Sequence, residues 1–336
     1  MLTYTKDMIE IKEEVLKKFK ILMSNNLEKY KHTQKKYIKN LYSKEQLLYY
    51  LIPVLFPALV IFAELFTNSK NSDYWCLFIP FGLMEIAILA INIHFTNKNY
   101  QNWKKESLFK KIVKLFDENI KYSAGSEQNT SLCIPESEIA NSKLYNHGID
   151  IDFYSYDDRF GGKYKDVQFK INEIQFGASK GRKYPLIIFS GLALYFKLFK
   201  TINNRVLITS KHSFFKVPKN YQKVEVEYTK FSKKYDVYVE VHNNSTSAQI
   251  EARYLLNTAF LDRFMQIQTS FKIDNIRCSI DKNKLLIMLS TGRDLFEMNN
   301  LFRRVDDINQ YENLFNEFAS IFSFIDVLNL SSKTKL

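Results

Sequence analysis

The sequence predicts an α+β protein, in which an N-terminal transmembrane helical hairpin precedes a cytoplasmic domain of mixed helices and strands. Three observations support this prediction. Two long apolar segments lie close to the N-terminus of the 336-residue chain. The remaining sequence is polar enough, and long enough, to build a domain with its own core. Beyond about residue 130, the hydrophobic period changes from the helical value of about 3.6 residues to the two-residue alternation of strands.

The two apolar segments, residues 47–66 and 74–95, are each about 20 residues long. At ~1.5 Å per residue, each is long enough to cross the ~30 Å apolar layer of a bilayer. Only seven residues separate them, so we expect a hairpin. Lysines crowd both outer flanks, whereas the connecting loop contains a single lysine, Lys70. The positive-inside rule therefore places both termini of a multi-pass membrane protein in the cytoplasm.

The hydrophobic pattern divides the chain into four parts. Residues 1–46 are predicted to form a charged cytoplasmic helix and residues 47–96 the hairpin. Residues 97–130 are predicted to form a cytoplasmic stalk helix with a linker, and residues 131–336 the α+β domain. No internal repeat is visible, and the mixed order of strands and helices in the last part favours α+β over a βαβ arrangement.

Individual strands and one helix can be predicted inside the α+β domain. Tyr235–Val241 alternates apolar and polar residues, which is typical of a half-buried strand. Ile276–Ile280 and Leu285–Leu289 are predicted to form a hairpin through Asp281–Lys284. Apolar residues from Ala252 to Ile267 recur at helical spacing and predict one buried helix face.

The formal net charge of +12 raises the question of a nucleic-acid partner. Much of the excess lies beside the two apolar segments, where lysines next to anionic lipid headgroups are the simpler explanation. The predicted partners are therefore the lipid bilayer and its anionic headgroups, and no nucleic acid. Glu85 lies near the middle of the second segment, where a charge is costly. We expect it to be neutral and hydrogen-bonded across the hairpin or at a homo-oligomer interface, with a proton- or ion-linked site as the alternative.

No catalytic or metal-binding motif emerges from the sequence. Gly161-Gly162-Lys163 ends like a phosphate-binding loop, but Tyr164 stands where serine or threonine is needed, so we interpret the glycines as a hairpin turn. Asp157 and Asp158 could be paired carboxylates, but they lie beside these glycines in a predicted turn, where aspartate is common, so we interpret them as turn residues. The three cysteines are far apart and form no metal-binding pair. We therefore predict no catalytic residue, no cofactor and no metal ligand.

The segment Ile250–Phe264, which contains the string Glu251-Ala-Arg-Tyr254, resembles the most recognisable stretch of a bacterial family with a domain of unknown function. Thr258 stands where that family usually has proline. The resemblance implies two N-terminal spans, a cytoplasmic stalk and an α+β domain, and hence a protein of the bacterial inner membrane. Members are often encoded beside LemA-type membrane proteins, which implies such a protein as a partner.

Glu251, Arg253 and Tyr254 are the candidate site residues within that segment. Glu251 and Arg253 are two positions apart, so on a helix they point in different directions and do not form a mutual ion pair. We interpret them as structural contacts, each pairing with a strand residue. The alternative is a site for a ligand or a partner.

These observations favour an interaction or scaffold module over an enzyme. The alternatives are a membrane-tethered enzyme with an unrecognised site, and a secreted effector that inserts its hairpin into a host membrane. A pocket of carboxylates or histidines with perturbed pKa values would favour an enzyme. A flat apolar patch would favour the scaffold.

Overall fold

The computed structural model describes most of the chain, in several ranges. They are residues 6–43, 75–125, 130–145, 148–211, 213–242, 245–271, 273, 275–291, 295–296 and 301–306, with residues 311, 315–316, 319, 322 and 325 near the C-terminus. The chain divides into two compact units. The first unit comprises Met1–Lys20, Glu106–Glu297 and Tyr311–Leu336, and the second comprises Ile21–Lys105 and Met298–Gln310.

The second unit is built from parts of two long helices, α1 (Lys6–Leu41) and α2 (Trp75–Phe116). Leu41, Tyr100 and Leu301 form its buried cluster, and partly buried aromatic and isoleucine side chains pack around them. Side-chain amides fix the 301–306 segment within this unit. The amide of Gln34 donates to the carbonyl of Leu301 at 2.6 Å and to the carbonyl of Arg303 at 2.7 Å.

The transmembrane hairpin in the predicted fold class is wrong. Among the residues that the structure describes, no helix is both long enough and apolar enough to cross a membrane. The first predicted span, residues 47–66, lies outside the described residues. The second predicted span falls within helix α2. That helix does not end with the apolar segment but continues to Phe116 through a lysine-rich sequence, as one helix of 42 residues.

The first unit contains one antiparallel sheet of nine strands in the order β1-β2-β3-β4-β9-β8-β5-β7-β6. The strands are β1 (Lys121–Ser123), β2 (Phe153–Tyr164), β3 (Val167–Ala178), β4 (Leu186–Lys197), β5 (Val206–Ser210), β6 (Tyr221–Val224), β7 (Tyr235–Glu240), β8 (Asn275–Asp281) and β9 (Lys284–Ser290). Besides parts of α1 and α2, this unit contains the helices α3 (Glu136–Asn141), α4 (Thr229–Ser232), α5 (Ser245–Leu255) and α6 (Thr258–Phe271), with a 3₁₀ turn at Thr130–Leu132.

The alternating patterns of the sequence correspond to real strands. Strand β7 buries every second residue, as its alternation predicts. Strands β8 and β9 form the predicted hairpin, with Asp281 opposite Lys284. The apolar run from Leu186 continues through Gly191 as the single strand β4. Gly191 has a φ of 153°, and a Cβ there would lie 2.1 Å from the carbonyl oxygen of Leu289, so only glycine permits this close pairing with β9.

The predicted turn at Gly161-Gly162 is wrong. Both glycines lie inside β2, where they pair with Lys170 and Phe169 of β3. The turn between β2 and β3 is formed instead by Lys165 and Asp166, both with positive φ, as tight hairpin turns require.

Asn172 on β3 fastens a connecting segment to the sheet. Its side chain is fully buried. Its amide nitrogen donates to the carbonyl of Leu132 at 3.1 Å, and its oxygen accepts from the backbone N–H of Ile134 at 2.6 Å. The hydroxyl of Tyr156 donates to the carbonyl of Ile134 at 2.9 Å. We call this set of contacts the Asn172 clamp. It satisfies backbone groups that would otherwise be buried without partners.

We predict that Asn172→Ala lowers the free energy of unfolding by about 3 kcal/mol, because it leaves a buried N–H and a buried C=O without their partner. The matched control is Asn220→Ala, which removes an exposed hydrogen bond to Glu240 and should cost less than about 1 kcal/mol. Denaturant unfolding of the full chain measures both. Equal losses for the two variants would contradict the structural role of the clamp.

Candidate functional site

Helix α5 carries the candidate residues and has two distinct faces. Ala248, Ala252 and Leu255 are buried against the sheet domain. Ile250 and Tyr254 point outward, with 62% and 74% of their surface exposed. Residues four apart on a helix lie on the same face, so these two large apolar side chains are neighbours in solvent. Such exposure of two adjacent bulky side chains on an otherwise packed helix is typical of a contact surface.

Glu251 binds the loop that follows β4. One carboxylate oxygen accepts from the backbone N–H of Asn203 at 2.9 Å, and the other accepts from the backbone N–H of Asn204 at 3.0 Å. The side-chain amides of the same two asparagines also donate to this carboxylate. Burial tends to raise the pKa of Glu251, but the four hydrogen bonds together outweigh burial and hold that pKa below its ordinary value.

Arg253 lies on the exposed side of α5, next to Tyr254. The ammonium of Lys200 lies over the ring of Tyr254, 4.4 Å from its centroid, in a cation–π contact. Phe199 precedes Lys200 in the chain and is 56% exposed. We call these five residues, Phe199, Lys200, Ile250, Arg253 and Tyr254, the α5 surface. It combines exposed apolar and aromatic side chains with two cations.

A second group of polar residues comes from an irregularity in β2. The register shifts by one residue between Tyr156 and Arg159, so that Asp157 and Asp158 together face Glu173 of β3. This is a β-bulge, in which two residues of one strand oppose a single residue of its partner. One carboxylate oxygen of each of the three residues lies within 4.8 Å of the others. Oxygen ligands in such a group suit a hard cation such as Mg²⁺ or Ca²⁺.

Two carboxylates of this acidic bulge accept hydrogen bonds from other groups of the protein. The hydroxyl of Tyr122 donates to Asp158 at 2.5 Å, and the backbone N–H of Leu295 donates to Glu173 at 2.9 Å. Burial, followed by the charge of Asp158, raises the pKa of Tyr122, so its hydroxyl stays protonated as the donor. The sequence predicted Asp157 and Asp158 as turn residues and did not indicate Glu173, because only the strand register brings Glu173 to them.

Glu85, the remaining candidate, lies within α2, and its side chain lies outside the described residues. The structure therefore brings together Arg253 and Tyr254 on the α5 surface and gives Glu251 a separate contact with the loop at Asn203 and Asn204.

Residues 187–330 match the family model described as "Protein of unknown function (DUF3137)". The DUF3137 segment covers less than half of the chain and contains the whole α5 surface. The resemblance to a family of unknown function is thus confirmed for the C-terminal part, whereas the two-span membrane character attached to it is not. The acidic bulge lies outside the DUF3137 segment.

Among solved structures, the chain is similar to the crystal structure of the mycobacterial trehalose monomycolate transport factor A, TtfA. The TM-score is 0.35 and the identity 8%, over 68% of this chain and 96% of the TtfA chain. A TM-score this low carries no argument about function. No curated protein matches the chain.

The Glu251 contact generates a prediction with a pH dependence. Glu251→Gln should lower the free energy of unfolding at pH 7 by about 1 kcal/mol, because glutamine offers one acceptor oxygen where the loop presents donors to two. The pKa of Glu251 is lowered in the folded protein, so its stabilising effect is present above the ordinary glutamate pKa and is lost as the pH falls through the folded-state value.

The measurement is denaturant unfolding of the wild type and the variant at pH 7 and at a pH near 3. The difference between them should shrink at the lower pH. Arg253→Gln is the matched control on the same helix and should change stability by less than about 0.5 kcal/mol at either pH. A Glu251→Gln effect that is identical at both pH values would contradict the role of the ionised carboxylate.

Proposed function

We propose that the sheet unit is an interaction or scaffold module that binds another protein through the α5 surface. The observation that carries this proposal is the outward placement of Ile250 and Tyr254 on one helix face, at 62% and 74% exposure. Aromatic and arginine side chains are the residues that most often dominate binding energy at protein interfaces. Tyr254 and Arg253 supply both types side by side.

The chemistry of the α5 surface indicates the chemistry of its partner. Lys200 and Arg253 are cations beside exposed apolar groups, which favours a partner segment that combines carboxylates with apolar side chains. A second copy of this chain is less well matched, because the chain carries a net charge of +12. The LemA-type protein implied by the family resemblance is the first candidate to test.

The membrane-tethered enzyme and the hairpin-inserting effector both depend on the transmembrane hairpin, and we do not propose them. The acidic bulge does not alter this choice, because Asp158 and Glu173 each accept a hydrogen bond from within the protein, from Tyr122 and Leu295 respectively. An interaction module requires only a stable surface, which the contact of Glu251 with the loop at Asn203 and Asn204 provides by fixing α5 to that loop.

A photoreactive phenylalanine derivative at position 254 of the full chain tests this proposal in cells. We expect it to crosslink to one protein, at a peptide that contains both acidic and apolar residues. The same derivative at position 214 is the control, because Phe214 is 85% exposed but lies outside the α5 surface. Arg253→Glu should reduce the crosslink from position 254 by about tenfold, because it places a carboxylate against an acidic partner.

Two results would contradict the proposal. Crosslinking of position 254 only to a second copy of the chain would indicate self-association instead of a scaffold. Equal crosslinking from positions 254 and 214, insensitive to Arg253→Glu, would show that the α5 surface has no specific partner. Thermal unfolding of Arg253→Glu should match that of the wild type, since Arg253 is an exposed helix residue.

A further inference from the structure

A row of residues crosses the first four strands of the sheet at the end opposite α5. Lys121 on β1 lies opposite Gly161 on β2, Gly161 lies opposite Lys170 on β3, and Lys170 lies opposite Tyr195 on β4. Residues directly opposite in an antiparallel sheet project from the same face. The two lysines and the tyrosine therefore share one face, with a glycine between the lysines.

A second row on the same face adds two more lysines. Lys163 lies opposite Gln168 in the pairing of β2 with β3. Lys163 is two residues from Gly161, and Gln168 is two residues from Lys170, so both point to the same side of the sheet as the first row. Lys197 is two residues beyond Tyr195 on β4 and points the same way. Four lysines from four neighbouring strands thus converge on one patch of the sheet.

This patch is the floor of a cleft of about 810 Å³. The wall is formed by the segment that the Asn172 clamp fastens to the sheet, including Ser131, Leu132 and Pro135. A Cβ at Gly161 would come within 3.0 Å of the Leu132 side chain, so the glycine allows this wall to sit directly on the floor. The volume is within the range of about 300–1,000 Å³ that is typical of small-molecule sites.

The charge of the cleft is unbalanced. Within the described part of the chain, the residues lining it include four lysines and no aspartate or glutamate. Lys163 forms an exposed ion pair with Asp166 at 2.9 Å, and Lys170 donates to the carbonyl of Cys133 at 2.7 Å. For Lys121 and Lys197, the described residues provide neither an ion pair nor a side-chain hydrogen bond. Several lysine ammonium groups in one concave site attract and bind phosphate groups.

We infer that this cleft binds a small organic molecule that carries two or more phosphate groups. Lys121 and Lys197, at the two ends of the floor, bind the phosphates, and Lys170, held by its bond to Cys133, supplies a fixed central charge. Gln168 and Ser131 are neutral donors at the same surface. Helix α5, which carries most of the α5 surface, packs against β6 and β7, at the other end of the strand order from this cleft. The test of one site can therefore fail without affecting the test of the other.

Isothermal titration calorimetry of the full chain with inorganic tripolyphosphate, pyrophosphate and monophosphate tests this inference. We expect tripolyphosphate to bind more tightly than monophosphate by about tenfold or more, because it engages several lysines at once. The double variant Lys121→Gln/Lys197→Gln should weaken tripolyphosphate binding by at least about tenfold. The control Lys216→Gln/Lys219→Gln removes two exposed lysines elsewhere and should weaken it by less than about twofold.

A second pair of variants distinguishes binding in the cleft from a general attraction of phosphates to a basic protein. Gln168→Glu leaves all four lysines in place but adds a carboxylate to the floor, and should weaken tripolyphosphate binding by about tenfold. Gln222→Glu makes the same charge change at an exposed position on β6, at the far edge of the sheet, and should leave binding unchanged within about twofold.

Three results would overturn the inference. Equal weakening by the cleft variants and their controls would show that the lysines act only through net charge. Equal affinities for monophosphate and tripolyphosphate would show that the cleft does not need a ligand with several phosphate groups. Tighter binding of a single-stranded RNA oligonucleotide, with the same dependence on Lys121 and Lys197, would identify a nucleic-acid surface in place of a small-molecule site. Circular dichroism of each variant confirms that the sheet is intact.

Discussion

The Asn172 clamp is the contact on which the central part of the sheet domain depends. A connecting segment that crosses the face of a sheet brings backbone N–H and C=O groups into a place where water is excluded, and each must find a partner. One buried asparagine satisfies two of these groups, at Leu132 and Ile134. The segment then separates two regions of one sheet face. On one side of it lies the apolar cluster around Phe176, and on the other lies the open cleft with its lysines.

The same strand, β3, shows how one register can create two chemical environments. Its even-numbered residues run from Gln168 and Lys170 in the cleft, through Asn172, to Ile174 and Phe176 in the core. Its pairing with β2 contains the bulge that brings Asp157 and Asp158 to Glu173. Because side chains alternate between the two faces of a sheet, one inserted residue in β2 changes which side chains of β2 lie next to which side chains of β3. The basic cleft and the acidic bulge therefore both depend on the pairing of β2 with β3.

The sequence predicted features that depend on local periodicity. The alternation in Tyr235–Val241 and the hairpin joining Asp281 to Lys284 can be read from a few consecutive residues, and the structure confirms both. Features that depend on distant pairing could not be read in this way. Gly161 and Gly162 are predicted to form a turn because the phosphate-loop pattern is incomplete there, whereas the actual turn uses Lys165 and Asp166.

The prediction of a transmembrane hairpin is wrong for a related reason. Hydropathy measures how apolar a stretch of sequence is, but it does not show where the helix that contains the stretch ends. Helix α2 extends far beyond its apolar stretch into lysine-rich sequence, as one continuous helix to Phe116. The predicted contact of lysines with lipid headgroups rests only on their position along the chain. The lysines with the clearest structural arrangement, Lys121 and Lys197 among them, lie on separate strands and meet only through the sheet.

The candidate residues Glu251 and Arg253 of α5 differ in exposure and in the contacts they make, although both are charged residues of one helix. Glu251 and Arg253 looked equivalent in the sequence, as two charged residues on one predicted helix. Helical geometry turns Glu251 toward the donors of Asn203 and Asn204, whereas Arg253 stays on the side of Tyr254. A carboxylate that accepts four hydrogen bonds has little capacity left for a partner. An arginine beside an exposed tyrosine retains its capacity, since its planar group can pair with a carboxylate or stack on a ring. The contacts of Glu251 are thus those of a structural residue, whereas the interaction that we propose for this helix rests on Arg253 and Tyr254.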